Sequence, residues 1–417
     1  MTSYQPLRRV AILSAVLAVG GAAQPVALDP TSSAGDFFGL ARIHSFHLTI
    51  AKADFNKMGP AGEPAGVYME VPATLQFDDR NGGTISLRYK GNSSYKYAPA
   101  VLKRSLKLDL GSSELNLNNN AFDPSQMREA LAYDVFRRAG VPAPRTAFAR
   151  VFLTVPGTYA RKYLGLFTVV EQIDQAFFED RWHRHVGLLV KPEDLKGMPY
   201  LGADWASYQR PYGSRTAPDN DDAARFIAFV KLLNEATDDE FARRVGDYLD
   251  VDAFLRFLAC EVVLVNTDSP LAMHHNYWMT VHPATRKIVW IPWDMNMAFG
   301  GFKPSDADLS LHEPSVAGAF PLAERMLAIG DIAARYDLIV REIVTTNFTV
   351  ARIDQQIAAI KSVVGDAAAA EHDAIVSGAP PLRQFVVDRV QAVTGQLEGR
   401  RRGTPARAPI ATLGANR

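Results

Sequence analysis

Leu264-Val265-Asn266-Thr267-Asp268-Ser269-Pro270, His274-His275-Asn276-Tyr277-Trp278 and Trp290-Ile291-Pro292-Trp293-Asp294-Met295-Asn296 carry the deciding pattern in this 417-residue chain. The first run closes an apolar segment with helical spacing, Asp250 to Val265. The other two bracket short apolar runs, Asn276 to Val281 and Lys287 to Ile291, joined by His282-Pro283-Ala284-Thr285-Arg286, a turn suited to a hairpin. A closed hairpin brings Asp268, Asn276 and Asp294 to one end. Carboxylate and amide oxygens gathered in this way suit a magnesium-nucleotide site, where one carboxylate stands near an acceptor hydroxyl and others hold the ions. The same positions also suit helix caps and turns made through side-chain to backbone bonds. His274 and His275, adjacent on a strand, point to opposite faces, which argues against zinc. Trp290 and Trp293 read as packing residues.

Outward from the hairpin, the rest of the C-terminal half is helical in pattern: Asp221 to Glu235, Asp238 to Asp247, and several segments between Phe320 and about Gly399. The N-terminal half differs. Short β-branched or alternating runs, Ile43 to Ala51, Ala73 to Phe77, Thr84 to Tyr89 and Ser105 to Leu110, predict an antiparallel sheet, with turns at Asp79-Arg80-Asn81-Gly82-Gly83 and Lys90-Gly91-Asn92-Ser93-Ser94. A helix is expected from Pro124 to about Ala139, with Asp123 as its cap and Gly140 and Pro142 as its stop. Strands follow over Thr146 to Leu153 and Tyr163 to Val170, and a short helix over Gln172 to Trp182.

This half holds a second polar cluster. Lys103, Ser105, Lys107 and Asp109 share one face of a strand, and Glu129 lies at helical spacing from Tyr133 and Phe136. A buried carboxylate there needs a cationic partner, and a strand lysine is one solution; a solvated ladder of charges is the other. Backbone amides of the Gly91-Asn92-Ser93-Ser94 turn suit a phosphate, although the turn matches neither the P-loop nor the usual kinase glycine loop.

Composition bounds the rest. With 47% hydrophobic residues the chain can fill one large domain, and Lys plus Arg equals Asp plus Glu at 45 each, so no global charge favours nucleic acid. One cysteine, Cys260, leaves redox compartment undecided. Leu7-Arg8-Arg9, the apolar run Val10 to Val19 and Gly20-Gly21-Ala22-Ala23-Gln24 have the order of an export signal; an amphipathic N-terminal helix is the alternative. Residues 1–23 are therefore expected to be removed, 24–39 to be a linker, and 400–417 an aperiodic tail, with no membrane span. G-x-S-x-G, H-E-x-x-H, paired C-x-x-C and dinucleotide fingerprints are absent.

Taken together, Lys90-Gly91-Asn92-Ser93-Ser94, Arg104-Ser105-Leu106-Lys107-Leu108-Asp109-Leu110, Met127-Arg128-Glu129-Ala130-Leu131-Ala132-Tyr133-Asp134, Gly140-Val141-Pro142-Ala143-Pro144-Arg145, Gly165-Leu166-Phe167-Thr168-Val169-Val170-Glu171-Gln172-Ile173-Asp174, Asn266-Thr267-Asp268, His275-Asn276-Tyr277 and Pro292-Trp293-Asp294 resemble, in order, the blocks of the spore coat protein H (CotH) family. The resemblance runs over about residues 40–350. It implies an α+β, atypical protein-kinase-like fold of two lobes over 40–399. The N-lobe, about 40–172, would be β-rich, and the C-lobe, about 173–399, mainly helical with the hairpin at the active site. The implied activity is transfer of the γ-phosphate of ATP, with Mg2+ or Mn2+, to Ser or Thr of secreted, envelope or coat proteins.

The same resemblance implies Asp268 as the catalytic aspartate, Asn276 and Asp294 as metal ligands, and Lys107 with Glu129 as the nucleotide-positioning pair. Lys90, Lys103 and Lys191 remain alternatives for the lysine, and Glu171 for its partner. One departure stands out, because Trp293-Asp294-Met295-Asn296 has an amide where the family commonly has a second aspartate. Asn296 can still offer an oxygen to a metal, without charge. Two rival functions follow: a kinase-shaped coat or surface protein that only binds, and a transferase that moves a nucleotide.

Overall fold

A computed structural model describes residues 37–59, 68–193, 195–304, 306–369 and 379–408; the expected export signal lies outside them. The fold is α+β. Seven strands, β1 (Ile43–Thr49), β2 (Val71–Phe77), β3 (Arg80–Tyr89), β4 (Leu106–Asp109), β5 (Glu114–Asn118), β6 (Thr146–Val155) and β7 (Tyr159–Glu171), close into a barrel in the order β1-β2-β3-β4-β5-β7-β6. This corrects the expected antiparallel sheet. All neighbours are antiparallel except β1 and β6, which run parallel from Ile43 opposite Phe148 to Thr49 opposite Thr154. Closure depends on β5, whose Glu-Leu-Asn-Leu-Asn has no apolar run to mark it, yet which joins β4 to β7. Joining all edges leaves no strand of the ring unpaired.

The alternation that predicts strands also fills the barrel. In β2, Val71, Ala73, Leu75 and Phe77 are buried and the residues between them exposed. These side chains meet Phe46, Leu48, Leu87, Leu108, Leu117, Val151 and Val169 in a core of their own. Each such burial contributes about 1.5–3 kcal/mol.

Two short helices, α1 (Lys52–Lys57) and α2 (Ser93–Lys96), interrupt the strand order, and α3 (Arg128–Arg138) lies between β5 and β6. Every residue of α3 from Arg128 to Phe136 is buried, including Arg128, Glu129 and Asp134. The helix starts four residues later than Pro124. Asp123 turns the preceding chain, accepting from the Ser125 amide and hydroxyl, and then accepts the Arg128 amide at 2.7 Å. It therefore still serves the helix start, from outside the usual cap position.

The helical half contains α4 (Gln175–Trp182), β8 (Leu189–Val190), α5 (Ala206–Gln209), α6 (Asn220–Glu235), α7 (Asp238–Tyr248), α8 (Val251–Val263), β9 (Tyr277–Val281), β10 (Ile288–Pro292), α9 (Pro321–Leu327), α10 (Gly330–Thr346), α11 (Val350–Ala369) and α12 (Leu382–Leu397). Side-chain caps mark four of these starts: Asp174, Asp219, Thr237 and Asp250 each accept an amide three residues on. The expected hairpin forms, with Tyr277 opposite Pro292 and Val281 opposite Ile288, and β8 adds a third strand beside β9. Phe136 of α3 and Phe257 of α8 have ring centroids 6.0 Å apart and join the two halves in one large core.

The far end of α8 is held by a residue 126 positions away in sequence. Arg389 is fully buried and donates to the carbonyls of Val262, Val263, Ala307 and Leu309. These include carbonyls that the last turn of a helix leaves without partners. Arg389→Met should cost at least about 3 kcal/mol, since buried acceptors lose a charged donor. Chemical denaturation checks this, and an unchanged midpoint would refute it. Residues 400–408, expected as tail, run along this region instead: Thr404 bonds Asp308 and Ser310, and Arg401 pairs with Asp308 at 2.9 Å. Among the described residues no helix is long and apolar enough to cross a membrane.

Candidate active site

Helix α8 ends at Val263, and the chain reverses through Val265, which has a positive φ of 48°. That turn delivers Asp268. Its Oδ1 lies 2.9 Å from His275 Nε2, and Asn276 Nδ2 donates to the Asp268 carbonyl at 2.7 Å and approaches Oδ2 at 3.4 Å. The two histidines are not strand neighbours as expected. His274 has a φ of 60° and Asn276 one of 63°, so the loop curls and sends His274 Nδ1 to the Ala319 carbonyl, away from Asp268.

Across the hairpin, the Trp293 amide donates to the Asn276 carbonyl at 3.0 Å, which places Asp294 beside the same strand end. Asp294 has a φ of 55°, and its own amide donates to Tyr133 Oη at 3.0 Å. Val265, His274, Asn276, Asp294 and Phe299 are all non-glycine residues with positive φ. Such residues cost about 1–3 kcal/mol each and concentrate where a structure over-determines a functional geometry. Asn296 sits half-buried in the single 3-10 turn that follows, Met295–Met297.

The barrel supplies the remaining charges, and here the expected pairing needs correction. Lys107 does not face Glu129. Its Nζ lies 2.6 Å from Glu114 across the β4–β5 ladder, while Lys103, Ser105 and Glu129 are buried, so the expected solvated ladder of charges does not form either. Glu129 instead accepts both Nδ2 bonds of Asn118, at 2.8 and 3.0 Å, while Asn118 Oδ1 accepts from Lys90 Nζ at 2.8 Å. Lys90, one of the alternatives, thus reaches Glu129 through an amide. It also lies 5.5 Å over the Trp293 ring.

The other candidates make different contacts. Glu171 is clasped by Arg145 and Arg181, and Lys103 is buried over Phe167. Lys191 pairs with Glu193 at 2.7 Å. The Gly91-Asn92-Ser93 turn follows Lys90 directly. Gly91 has a φ of 97°, and a Cβ there would strike Ser94 Oγ; its carbonyl accepts from Tyr68 Oη at 2.6 Å.

The charges act on one another. Burial pushes the Glu129 carboxyl up, Asp294 adds to this, and the Asn118 bonds and Lys90 oppose it. Burial pushes the Lys90 ammonium down against the pull of Asp294 and Glu129. Asp294 is raised by burial, relieved by Lys90 and raised again by Asp268. Fully buried Glu261 on α8, bonded to Asn266 Nδ2 at 2.8 Å, is pushed up to about 8 by burial, with Asp268 contributing.

Glu129, Glu261, Asp268 and Asp294 therefore crowd carboxylates around few cations, and a divalent ion would relieve them. The donors on offer, from Asp268, Asn276, Asp294 and Asn296, are oxygens, which suits magnesium or manganese. Among the described residues no group of three or more His, Cys, Asp or Glu is arranged to hold a metal.

Glu261 also makes a pH prediction. Between its ordinary 4.5 and about 8 the folded chain keeps a proton that the unfolded chain has released, so its contribution to stability falls as pH rises through that window. Glu129, raised likewise, has the same sign. Thermal midpoints from pH 5 to 8 should fall less steeply for Glu261→Gln than for the parent chain. Parallel slopes would refute the assignment.

Asn118, Tyr133, His275 and Glu261 are the members of this site that sequence reasoning does not single out. The asparagine run Asn116, Asn118, Asn119 and Asn120, all buried, was the available signal. A fold with this barrel, hairpin and polar cluster defines a class, and the chain belongs to it: residues 87–394 match the CotH family model, described as CotH kinase protein. The chain is similar to the inner spore coat protein H of Bacillus subtilis, 24% identical over 297 residues that cover 70% of this chain and 79% of that one. It is also similar to the inner spore coat protein H-like protein of the same organism, 25% identical over 252 residues, 58% of this chain and 66% of the relative. The spore coat protein homolog 1 of Rhizopus delemar matches at 27% over 152 residues, 35% of this chain and 23% of the relative.

Proposed function

We propose that this chain is a divalent-metal-dependent protein kinase that transfers the γ-phosphate of ATP to Ser or Thr hydroxyls of an exported, envelope or coat protein. The observation that carries the reading is the convergence of Asp268, Asn276 and Asp294 from the helical half with Lys90 and Asn118 from the barrel and Glu129 from α3. In this reading the barrel half is the N-lobe and the helical half the C-lobe of a kinase-like body. Lys90 takes the part of the nucleotide-positioning lysine, with Glu129 behind it through Asn118.

Asp268 accepts the proton of the acceptor hydroxyl as its oxygen forms the new bond to the γ-phosphorus, while the bond to the bridging oxygen breaks and ADP leaves. His275 and Asn276 hold the Asp268 carboxylate in place. Asp294 and Asn276, with Asn296, would hold the metal, whose charge offsets that of the phosphates. Lys90 and the Gly91-Asn92-Ser93 turn hold the phosphate chain. Positioning and fixed charge supply most of the rate.

A second reading, a coat or surface protein that binds without catalysis, is favoured by Asn296 and by the coat names of the relatives. Both readings put the chain outside the cytoplasm after loss of residues 1–23; an exported protein whose mass still includes that segment would contradict this. Incubation with γ-labelled ATP, manganese or magnesium, and casein or the chain itself as acceptor decides between the two. Label in Ser or Thr supports the kinase. No label, together with no thermal stabilisation by nucleotide, supports the binding protein, and transfer of the whole nucleotide, read by mass, would replace the kinase reading.

A further inference from the structure

We propose that Lys191, resting on Trp278 at the end of β8, is a second cation for the phosphate chain of the nucleotide, a role that rests on the kinase reading above. Lys90 reaches the cleft from the barrel and Lys191 from the helical half. The two are linked by a pair of tryptophans. Lys90 Nζ lies 5.5 Å from the Trp293 centroid, Trp293 meets Trp278 edge-on at 5.9 Å and 81°, and Lys191 Nζ lies 5.9 Å from the Trp278 centroid. Asp294, the proposed metal ligand, follows Trp293 directly. Aromatic faces hold ammonium groups without consuming their hydrogen-bonding capacity.

The backbone of Lys191 is built into place. Its amide donates to the Gly213 carbonyl at 3.1 Å, the Arg215 amide donates to Leu189 at 2.8 Å, and Val190 bridges Ser214. Gly213 has a φ of 60°, and a Cβ there would collide with the Lys191 carbonyl oxygen. That turn also sets Arg215 6.0 Å from the Trp278 ring and 3.4 Å from Glu193.

The ion-pair partner of Lys191 is exchangeable. Glu193 is 56% exposed, and exposed pairs contribute about 0–1 kcal/mol, so a phosphate oxygen can take the carboxylate's place at little cost. A chain carrying several negative charges gains from cations at separate points along it, and Lys90, already bonded to Asn118 and facing Glu129, offers only one.

The test is the affinity of the intact chain for ATP, by calorimetry with magnesium present throughout, in Lys191→Met, Lys191→Arg and Glu193→Gln. Loss of a charged contact to phosphate weakens binding about 10- to 100-fold. Lys191→Met should show that loss, Lys191→Arg should stay within a few-fold of the parent, and Glu193→Gln should bind ATP as tightly or more tightly. A merely structural Lys191–Glu193 bridge would make Lys191→Met and Glu193→Gln equally harmful. That result, or ATP binding unchanged in Lys191→Met, overturns the proposal. If the parent chain binds no ATP, the kinase reading falls with it, an outcome distinct from a parent that binds and a Lys191→Met variant that binds equally well.

Discussion

Asp268→Ala is expected to reduce phosphate transfer by about 10²–10⁴-fold, the usual worth of a positioned general base, while leaving ATP affinity nearly unchanged. The expected split follows from geometry. Asp268 is tied to His275 and Asn276, whereas Lys90, Asn118 and Glu129 form a separate hydrogen-bonded network. Asp294→Ala should also abolish transfer, but with loss of magnesium-dependent ATP binding, because its carboxylate is the proposed charged metal ligand. Measuring both kcat and nucleotide affinity separates the roles. Transfer at parental rate by Asp268→Ala would remove it from the mechanism, and unchanged binding by Asp294→Ala would remove the metal assignment.

Lys90→Met is expected to have the second large effect, and it carries a contrast. Glu129 is buried, raised by its surroundings and close to Asp294, and deleting the nearby ammonium removes a cation that offsets both carboxyl groups. Breaking a buried charged network in this way costs about 3–5 kcal/mol. Both transfer and thermal midpoint should fall, and magnesium with ATP should raise the midpoint only in the parent. Lys107→Met, which loses only the pair with Glu114 on the barrel ladder, should transfer phosphate within a few-fold of the parent. Equal damage from the two substitutions would contradict the reassignment of the lysine.

That reassignment shows where sequence reasoning stops. Residues at i and i+2 of a strand share a face, which groups Lys107 with Asp109, but β4 begins only at Leu106 and leaves Lys103 and Ser105 outside the expected set. Which strand faces α3 was not legible. Barrel closure decides it: β4 turns Lys107 toward Glu114 of β5, and Lys90 at the end of β3 turns in toward Asn118. The relevant separations are 28 residues from Lys90 to Asn118 and 161 from Tyr133 to Asp294. Neither is encoded in local spacing.

Local signals were strong where one short-range cause sets the outcome. Asp219, Thr237 and Asp250 start their helices because each side chain can reach an amide three residues on, and the hairpin follows from two apolar runs and a turn. The convergence of Asp268, Asn276 and Asp294 at one hairpin end was legible for the same reason. Asn118 and Arg389 were not, since their partners lie in distant parts of the chain and local spacing does not name them. By itself the sequence determined the mixed α+β class, most helix starts, the hairpin and the family. Tertiary structure alone decided the closed barrel, the lysine that faces Glu129 and the buried arginine that holds α8, because each depends on groups brought together from distant parts of the chain by burial.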